Sequence, residues 1–223
     1  MAWTESDFIE RVKHLVRDDA AILTAIQYKF HVEDAVRQYE KRRPLKKVYI
    51  VNGDGATSDW DLPSDWIVGY SYIRNIEYPV VTSGKPYYLK KQKDYRLIEN
   101  DAGIEKIRFY TPPSEKARVL YVNPHSIAAD TSTIYVRDDY AVAQLAASLC
   151  CEALASYYAQ TKKPSVSADV VDYEDKGRMY SERAKDLKAR YDEHVPKSRA
   201  GAIGDWDMTP SWGDDYIWQE DRR

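Results

Sequence analysis

Residues 140–161 read YAVAQLAASLCCEALASYYAQT and include a single charged residue, Glu152. Drawn as a helix, this stretch is apolar on most sides, and a helix without a polar face is normally buried by its neighbours. Asp138 and Asp139 precede it as candidate N-caps. The stretch therefore predicts the central helix of a helical bundle. Its apolar positions are Val142, Leu145, Ala146, Leu149, Cys150, Ala153, Leu154 and Tyr157.

A helix is also predicted at the N-terminus. Thr4 and Asp7 have the spacing of a capping box, and Trp3 and Phe8 have the spacing of a hydrophobic staple. The helix that follows carries one apolar face. That face is made of Phe8, Val12, Leu15 and Val16.

A second helix is expected to begin at Asp18 or Asp19, either of which can act as an N-cap. It ends in a charged stretch that meets Pro44, where a helix cannot readily continue. We expect this helix to bury one apolar face. The residues on that face are Ile22, Ile26 and Phe30, with Val36 further along the helix.

The last predicted helix covers about residues 168–194. Apolar and small residues recur along it at alternating intervals of four and three, which is the pattern of a narrow helix–helix seam. Such a seam suits an antiparallel partner across a short loop. The seam residues are Tyr173, Gly177, Tyr180, Ala184, Leu187 and Tyr191.

Between residues 46 and 136 the pattern changes to short runs rich in Tyr, Val and Ile, separated by turn residues. No helical period lies between these runs, so antiparallel pairing is favoured over a doubly wound parallel sheet. Turns are predicted at residues 52–55, 83–86 and 100–103. The predicted strands are 48–51, 69–78, 87–90, 95–99, 106–110, 118–122 and 133–136.

The predicted fold class is therefore α+β. It is a four-helix-type bundle with an inserted antiparallel β domain and an extended C-terminal arm. The bundle takes residues 1–44 and 137–195, the β domain takes residues 45–136, and the arm takes residues 196–223.

Composition narrows the classes of function. The 223 residues are 43% hydrophobic and 31% charged with a net charge of -3, which is typical of a globular protein and gives no basis for sequence-independent nucleic-acid binding. Adjacent Cys150 and Cys151 cannot easily bridge on a helix, so we expect a reducing compartment. The polar start argues against a signal peptide, and Gln144 and Glu152 argue against a membrane span.

No residue pattern predicts catalysis, a metal or a cofactor. The four histidines lack metal-ligand spacing with Cys or carboxylates, and no phosphate-binding loop or nucleophile elbow occurs. Cys150 and Cys151 lie in the apolar helix, where thiols pack as small hydrophobes. We therefore expect a protein that is not an enzyme.

The β region leaves two alternatives open. Asn52, Asp54 and Asp59 faintly resemble a calcium loop, but the closing Glu is missing and a hairpin turn is favoured. Asp59, Trp60 and Trp66 could line a carbohydrate-type pocket of a ligand-binding module, or these aromatics could form the core of the β region.

The C-terminal arm carries three tryptophans, Trp206, Trp212 and Trp218, six residues apart. That spacing fits neither a helical face nor an alternating strand, so the arm has no face to bury on its own domain. Trp is a favoured interface anchor. We therefore predict that the arm binds another protein. Its predicted partner-binding residues are Asp205, Trp206, Asp207, Trp212, Asp214, Asp215, Tyr216, Ile217 and Trp218.

A basic cluster ends the second predicted helix. It can be a solvated helix end, or a docking patch for acidic residues of a neighbouring subunit, including those of the arm. The residues proposed for docking are Arg37, Lys41, Arg42 and Arg43.

Residues 141–159, 167–176 and 183–191 together resemble the helices of bacteriophage head–tail connector (adaptor) proteins. The motifs Gly53-Asp-Gly55, Trp60-Asp-Leu-Pro63 and Ile76-Glu-Tyr-Pro79 are similar to the β insertion of prophage proteins of that group. The similarity covers most of residues 15–194, and its motifs concern packing and turns.

The resemblance implies a non-enzymatic ring, expected to be a dodecamer, beneath the portal in the virion neck. The ring would join the portal protein to tail-side proteins, with packaged DNA passing through without specific binding. Assembly would take place in the host bacterial cytoplasm. A stopper or tail-completion protein of the same neck is the alternative.

Overall fold

The protein is a mixed α+β structure. The computed structural model describes residues 3–81, 83, 85–99, 103–128, 131–160 and 173–196, with the backbone alone at 173–175. In these residues there are four α-helices and two three-stranded antiparallel sheets. The helices are α1 Glu5–Val16, α2 Ala25–Glu40, α3 Asp139–Gln160 and α4 Tyr173–His194. The strands are β1 Leu45–Asn52, β2 Asp59–Asp61, β3 Tyr72–Glu77, β4 Tyr95–Glu99, β5 Glu105–Phe109 and β6 Lys116–Asn123.

The described chain divides into two compact units. Residues 3–43 and 125–196 form the helical unit, and residues 44–124 form the β unit. Residues 125–136, predicted to belong to the β domain, lie in the helical unit. One reason is His125, which is buried, and its ring lies 5.1 Å from that of Tyr39 on α2.

Helix α3 is the centre of the helical unit, as its composition predicts, because α1, α2 and α4 all contact it. Its side chains are buried around most of the circumference, which removes a large apolar area from water. Small residues let α3 and α4 approach each other closely. A Cβ on Gly177 of α4, for example, would lie 3.6 Å from the carbonyl oxygen of Ala155 on α3. The buried apolar residues of α3 include Val142, Leu145, Ala146, Cys150, Cys151, Leu154 and Tyr158.

Helix α1 begins as predicted. The Asp7 backbone N–H donates to Thr4 Oγ1, and the Thr4 N–H donates to Asp7 Oδ2, which completes the capping box. The rings of Trp3 and Phe8 pack edge to face with centroids 5.2 Å apart. Local sequence is sufficient here because all the contacts lie within five residues of one another.

Helix α2 differs from its prediction at two points. Its N-cap is Thr24, which forms a capping box with Gln27, so the prediction of Asp18 or Asp19 was wrong. Its buried face was also mispredicted, because Ile26 and Phe30 are 65% and 56% exposed. The helix offers two apolar faces, and packing against α3 selects the other one. The selected residues are Tyr28, Val32, Ala35, Val36 and Tyr39.

Helix α4 has the predicted seam in the part whose side chains are described. Tyr180, Ala184, Leu187 and Tyr191 are all buried in the core of the helical unit. The rings of Tyr158 on α3 and Tyr180 on α4 stack with centroids 5.7 Å apart. The first seam residue, Tyr173, lies outside the residues whose side chains are described.

The β unit contains two sheets with the strand orders β1-β6-β3 and β2-β5-β4. Antiparallel pairing was predicted correctly, and 95–99 was predicted with its observed bounds. Residues 87–90 form only an isolated bridge between Tyr88 and Glu77, and 133–136 forms no strand. The core of the β unit contains Val51, Ile76, Tyr95, Ile107, Phe109, Ala117 and Val119.

Residues 52–55 do not form the predicted hairpin turn. They connect β1 of one sheet to β2 of the other, and β1 pairs with β6 instead. The Gly53 and Gly55 N–H groups donate to the carbonyl oxygens of Glu115 and Pro113. A Cβ on Gly53 would lie 2.3 Å from the Pro113 oxygen, so this close backbone approach requires glycine.

Candidate docking surface on helix α2

The residues predicted for partner binding fall into two groups in the structure. Those of the arm, from Asp205 to Trp218, lie outside the described residues. The basic cluster is described, and the fold separates it into two pairs. Arg42 and Arg43 enter contacts within the helical unit, whereas Arg37 and Lys41 are exposed.

Arg42 joins the end of α2 to the end of α4. Its Nη2 lies 2.6 Å from Asp192 Oδ1, its Nη1 donates to the Val195 carbonyl oxygen, and its guanidinium lies 4.6 Å from the centre of the Tyr191 ring. Its side chain is only 16% exposed. The charged group of Arg42 therefore forms its contacts within the helical unit.

Arg43 contacts a buried charge, the fully buried Asp138 carboxylate. Asp138 Oδ2 accepts a hydrogen bond of 2.7 Å from the Tyr39 hydroxyl and lies 3.0 Å from Arg43 Nη1. Asp138 Oδ1 lies 3.1 Å from His194 Nε2. The predicted N-cap role of Asp138 was wrong, because its carboxylate binds these side chains. It joins α2, α3 and α4 at one point and so fixes the C-terminal end of α2.

Asp139, the first residue of α3, is 2% exposed. Burial is the main reason that its pKa rises to about 6, and the neighbouring charge of Asp138 also raises it. A carboxyl group whose pKa is raised by folding stabilises the fold when protonated, and that stabilisation is lost as the pH rises through the folded pKa.

We expect Asp139→Asn to change the pH dependence of stability. At each pH, the variant should have a higher unfolding free energy than the wild type. This difference should be about 1 kcal/mol larger at pH 7.5 than at pH 5, because only the wild type must ionise a buried group as the pH rises. Urea unfolding at both pH values measures this difference. An equal gain at both pH values would contradict it.

The exposed pair, Arg37 and Lys41, continues a line of residues along α2. Arg37 is 70% exposed and lies 3.3 Å from Asp34, and Lys41 has no ion pair among the described residues. Residues 26, 30, 37 and 41 lie on one side of a helix because their spacings of four and seven are close to whole turns. We call the set Ile26, Phe30, Arg37 and Lys41 the α2 stripe. It combines two exposed apolar side chains with two exposed cations, and the exposed carboxylate of Glu33 lies on the same side of the helix.

A groove lies beside the stripe, between α2 and α3. His31, Asp34 and Gln38 line it on α2, and Glu152 and Ser156 line it on α3. Burial lowers the pKa of His31, against the opposing effect of the Asp34 and Glu152 carboxylates. The groove thus offers polar groups next to the stripe, which could pair with the backbone of an extended segment.

Cys150, Cys151 and His125, the candidate reactive side chains, are buried within the helical unit. Burial raises the pKa of Cys151 to about 11 and raises that of Cys150 as well, so neither is an activated nucleophile. The ring nitrogens of His125 lie 2.9 Å from the Arg43 carbonyl oxygen and 3.0 Å from that of Thr133. Within the described part of the chain, no cluster of His, Cys, Asp or Glu is arranged to hold a metal ion.

The polar atoms of the candidate ligand pocket in the β unit are also engaged. Asp59 forms two hydrogen bonds of 2.6 Å with Arg108, whose guanidinium lowers the pKa of that carboxyl. Trp60 Nε1 donates to the Thr57 carbonyl oxygen, and Trp66 Nε1 donates to Glu105 Oε2. Trp60 packs against the core of the β unit, as the alternative interpretation expects.

The former calcium-loop candidate is a capped turn. Asp54 Oδ1 accepts from the backbone N–H groups of Ala56 and Thr57, and the Thr57 hydroxyl donates to Asp54 Oδ2. These hydrogen bonds lower the pKa of Asp54 to about 2. The carboxylate therefore stabilises the loop that leads into β2.

The α2 stripe is the candidate docking surface, and its sequence predicts it only in part. The cations were identified as a cluster, but Ile26 and Phe30 were expected in the core. Their exposure could have been suspected from the second apolar face of α2, which includes two tyrosines.

None of the described helices is both long and apolar enough to cross a membrane. In comparisons with known proteins, no protein-family model matches the chain and no curated protein matches it.

Proposed function

We propose that the protein is a structural adaptor of a phage virion neck, forming a ring that joins the portal to the tail-side connector and docks through its C-terminal arm. The observation that carries this proposal is the α2 stripe, where Phe30 is 56% exposed on the same face as Arg37. Aromatic and arginine side chains are enriched among residues that dominate binding between proteins. The resemblance of the helices and β motifs to connector proteins supports the same role.

The fold proposed for this role is a four-helix-type bundle with an inserted antiparallel β domain and an extended arm. In its support, α3 contacts α1, α2 and α4, and the chain of the β unit runs between two segments of the helical unit. Close-packed protein interiors have low compressibility, which suits a ring that must hold against packaged DNA.

The proposed partners are other copies of the chain in a ring, the portal protein and tail-side neck proteins, in the virion neck. We expect a dodecamer assembled in the host cytoplasm. The net charge of -3 suits a lumen that lets DNA pass without binding it. No cofactor is proposed.

A stopper or tail-completion protein remains the second candidate, and the β unit favours it. Val48, Ile50 and Tyr72, on the sheet β1-β6-β3, are 56%, 39% and 38% exposed. Exposed apolar side chains on one sheet suit a contact with a partner. A cryo-EM map of the neck separates the candidates, since an adaptor contacts the portal and a stopper lies below the first ring.

We expect a chain without residues 200–223 to fold and to lose attachment to the portal. Every helix and strand of the described structure lies before residue 200, so the circular dichroism spectrum should keep its helical signal. Co-sedimentation with the portal protein measures attachment. A truncated chain that attaches as the full chain does would contradict the role of the arm.

A further inference from the structure

We propose that the α2 stripe of one copy binds residues 212–218 in the arm of a second copy, an inference that rests on the proposed ring. The contact places Asp214 on Arg37 and Lys41. It places Trp218 on Ile26 and Phe30. The occupant is thus a second copy of this chain.

Charge supports this assignment. Residues 201–221 contain six acidic residues and no Lys or Arg. On the described surface, Arg37 is 70% exposed and Lys41 has no ion pair with another described residue. Opposite charges on the two surfaces would accelerate their encounter and set the register of the contact.

The spacing of the two patterns agrees. Phe30 lies roughly 13 Å along the axis of α2 from the midpoint between Arg37 and Lys41. Asp214 and Trp218 are four residues apart, so they lie on the same side of an extended chain, roughly 13 Å from each other. An extended arm running from the C-terminal end of α2 towards its N-terminal end therefore brings acid to cation and Trp to Phe.

The point where the arm leaves the helical unit makes the contact reachable. Arg42 holds the carbonyl oxygen of Val195, so the chain leaves beside the C-terminal end of α2. The 18 residues from Lys197 to Asp214 can span up to roughly 60 Å, enough to reach an adjacent subunit.

The head-to-tail nature of the contact favours a second copy. The arm and the α2 stripe are different surfaces, so each subunit offers one of each to its two neighbours. Such heterologous contacts generate a ring when the rotation between subunits closes. The groove beside the stripe adds polar groups, including Gln38 and Ser156, for the backbone of the arm.

Charge reversal tests the proposal on the full chain in the absence of portal. Variant one carries Arg37→Glu and Lys41→Glu, and variant two carries Asp214→Lys and Asp215→Lys. Analytical ultracentrifugation over a concentration series measures self-association, and circular dichroism confirms folding. We expect each variant alone to associate at least tenfold more weakly than the wild type.

Restoration is the sharper readout. A chain with all four substitutions should regain wild-type association, and so should an equimolar mixture of the two variants, because both sets of opposite charges are restored. The matched control is Lys185→Glu with Lys188→Glu on the exposed side of α4, which should associate as the wild type does.

Four results would overturn the proposal: a wild type that stays monomeric, variants that associate normally, a mixture without restoration, or a control that weakens association equally. If the arm folds onto its own subunit instead, the mass measured by ultracentrifugation will be the same for the wild type and every variant. Portal attachment is measured separately. Normal association of variant one, with loss of portal attachment on truncation, would reject this contact and leave the adaptor role intact.

Discussion

Replacing Asp138 by alanine is expected to lower the unfolding free energy of the helical unit by about 3–5 kcal/mol. The substitution removes the carboxylate that lies 3.0 Å from Arg43 Nη1, and the Arg43 side chain is only 12% exposed. It also removes the acceptor of the buried Tyr39 hydroxyl. Urea unfolding followed by circular dichroism measures the loss.

A matched control is Asp34→Ala, on α2 of the same unit. Its ion pair with Arg37 is surface-exposed, with 53% of the Asp34 side chain accessible. Exposed pairs contribute about 0–1 kcal/mol, so this variant should remain close to the wild type. Equal losses for both variants would show that Asp138 has no special role at the junction of α2, α3 and α4.

The Asp138 variant also tests how the α2 stripe is held. Tyr39, Arg42 and Arg43 follow Arg37 within two turns, and all three bind Asp138 or the end of α4. Loosening this junction should weaken self-association as well as stability. Asp34→Ala should leave the stripe in position.

Leu154→Ala is expected to cost about 2–5 kcal/mol of unfolding free energy. Leu154 is fully buried on α3, so shortening it leaves a cavity at the centre of the helical unit. Dense packing limits how far neighbouring helices can close over such a cavity. Thermal and urea unfolding both report this loss.

Leu149→Ala is the paired control because it makes the same chemical change on the same helix. Leu149 is only partly buried and lines the open groove between α2 and α3. Its truncation creates no closed cavity, so the loss should be about 1 kcal/mol or less. If both leucines cost the same, α3 would not be the buried centre that the structure indicates.

Much of the helical unit could be predicted because its signals are local. The capping box of Thr4 and Asp7 satisfies N–H groups within one turn, whatever the rest of the chain does. The apolar circumference of α3 likewise requires burial in any fold. The antiparallel strand 95–99 was predicted from a short run rich in Tyr, Val and Ile next to turn residues.

The candidate site was predicted only in part. The basic cluster of 37–43 was visible as a run of charges, but nothing local separates Arg37 from Arg43. That separation depends on Asp138, which is 95 residues further along the chain than Arg43. A long-range ion pair leaves no periodic trace in the sequence.

The sequence by itself determined the elements whose free energy comes from neighbouring residues: the start of α1, the apolar length of α3 and the seam of α4. Only the tertiary structure decided which face of α2 is buried, because both of its faces carry apolar residues. Tyr28, Val32 and Tyr39 fill the space against α3, and this choice leaves Ile26 and Phe30 beside Arg37 and Lys41. The surface on which the proposed function depends therefore follows from packing between distant segments, which local sequence does not encode.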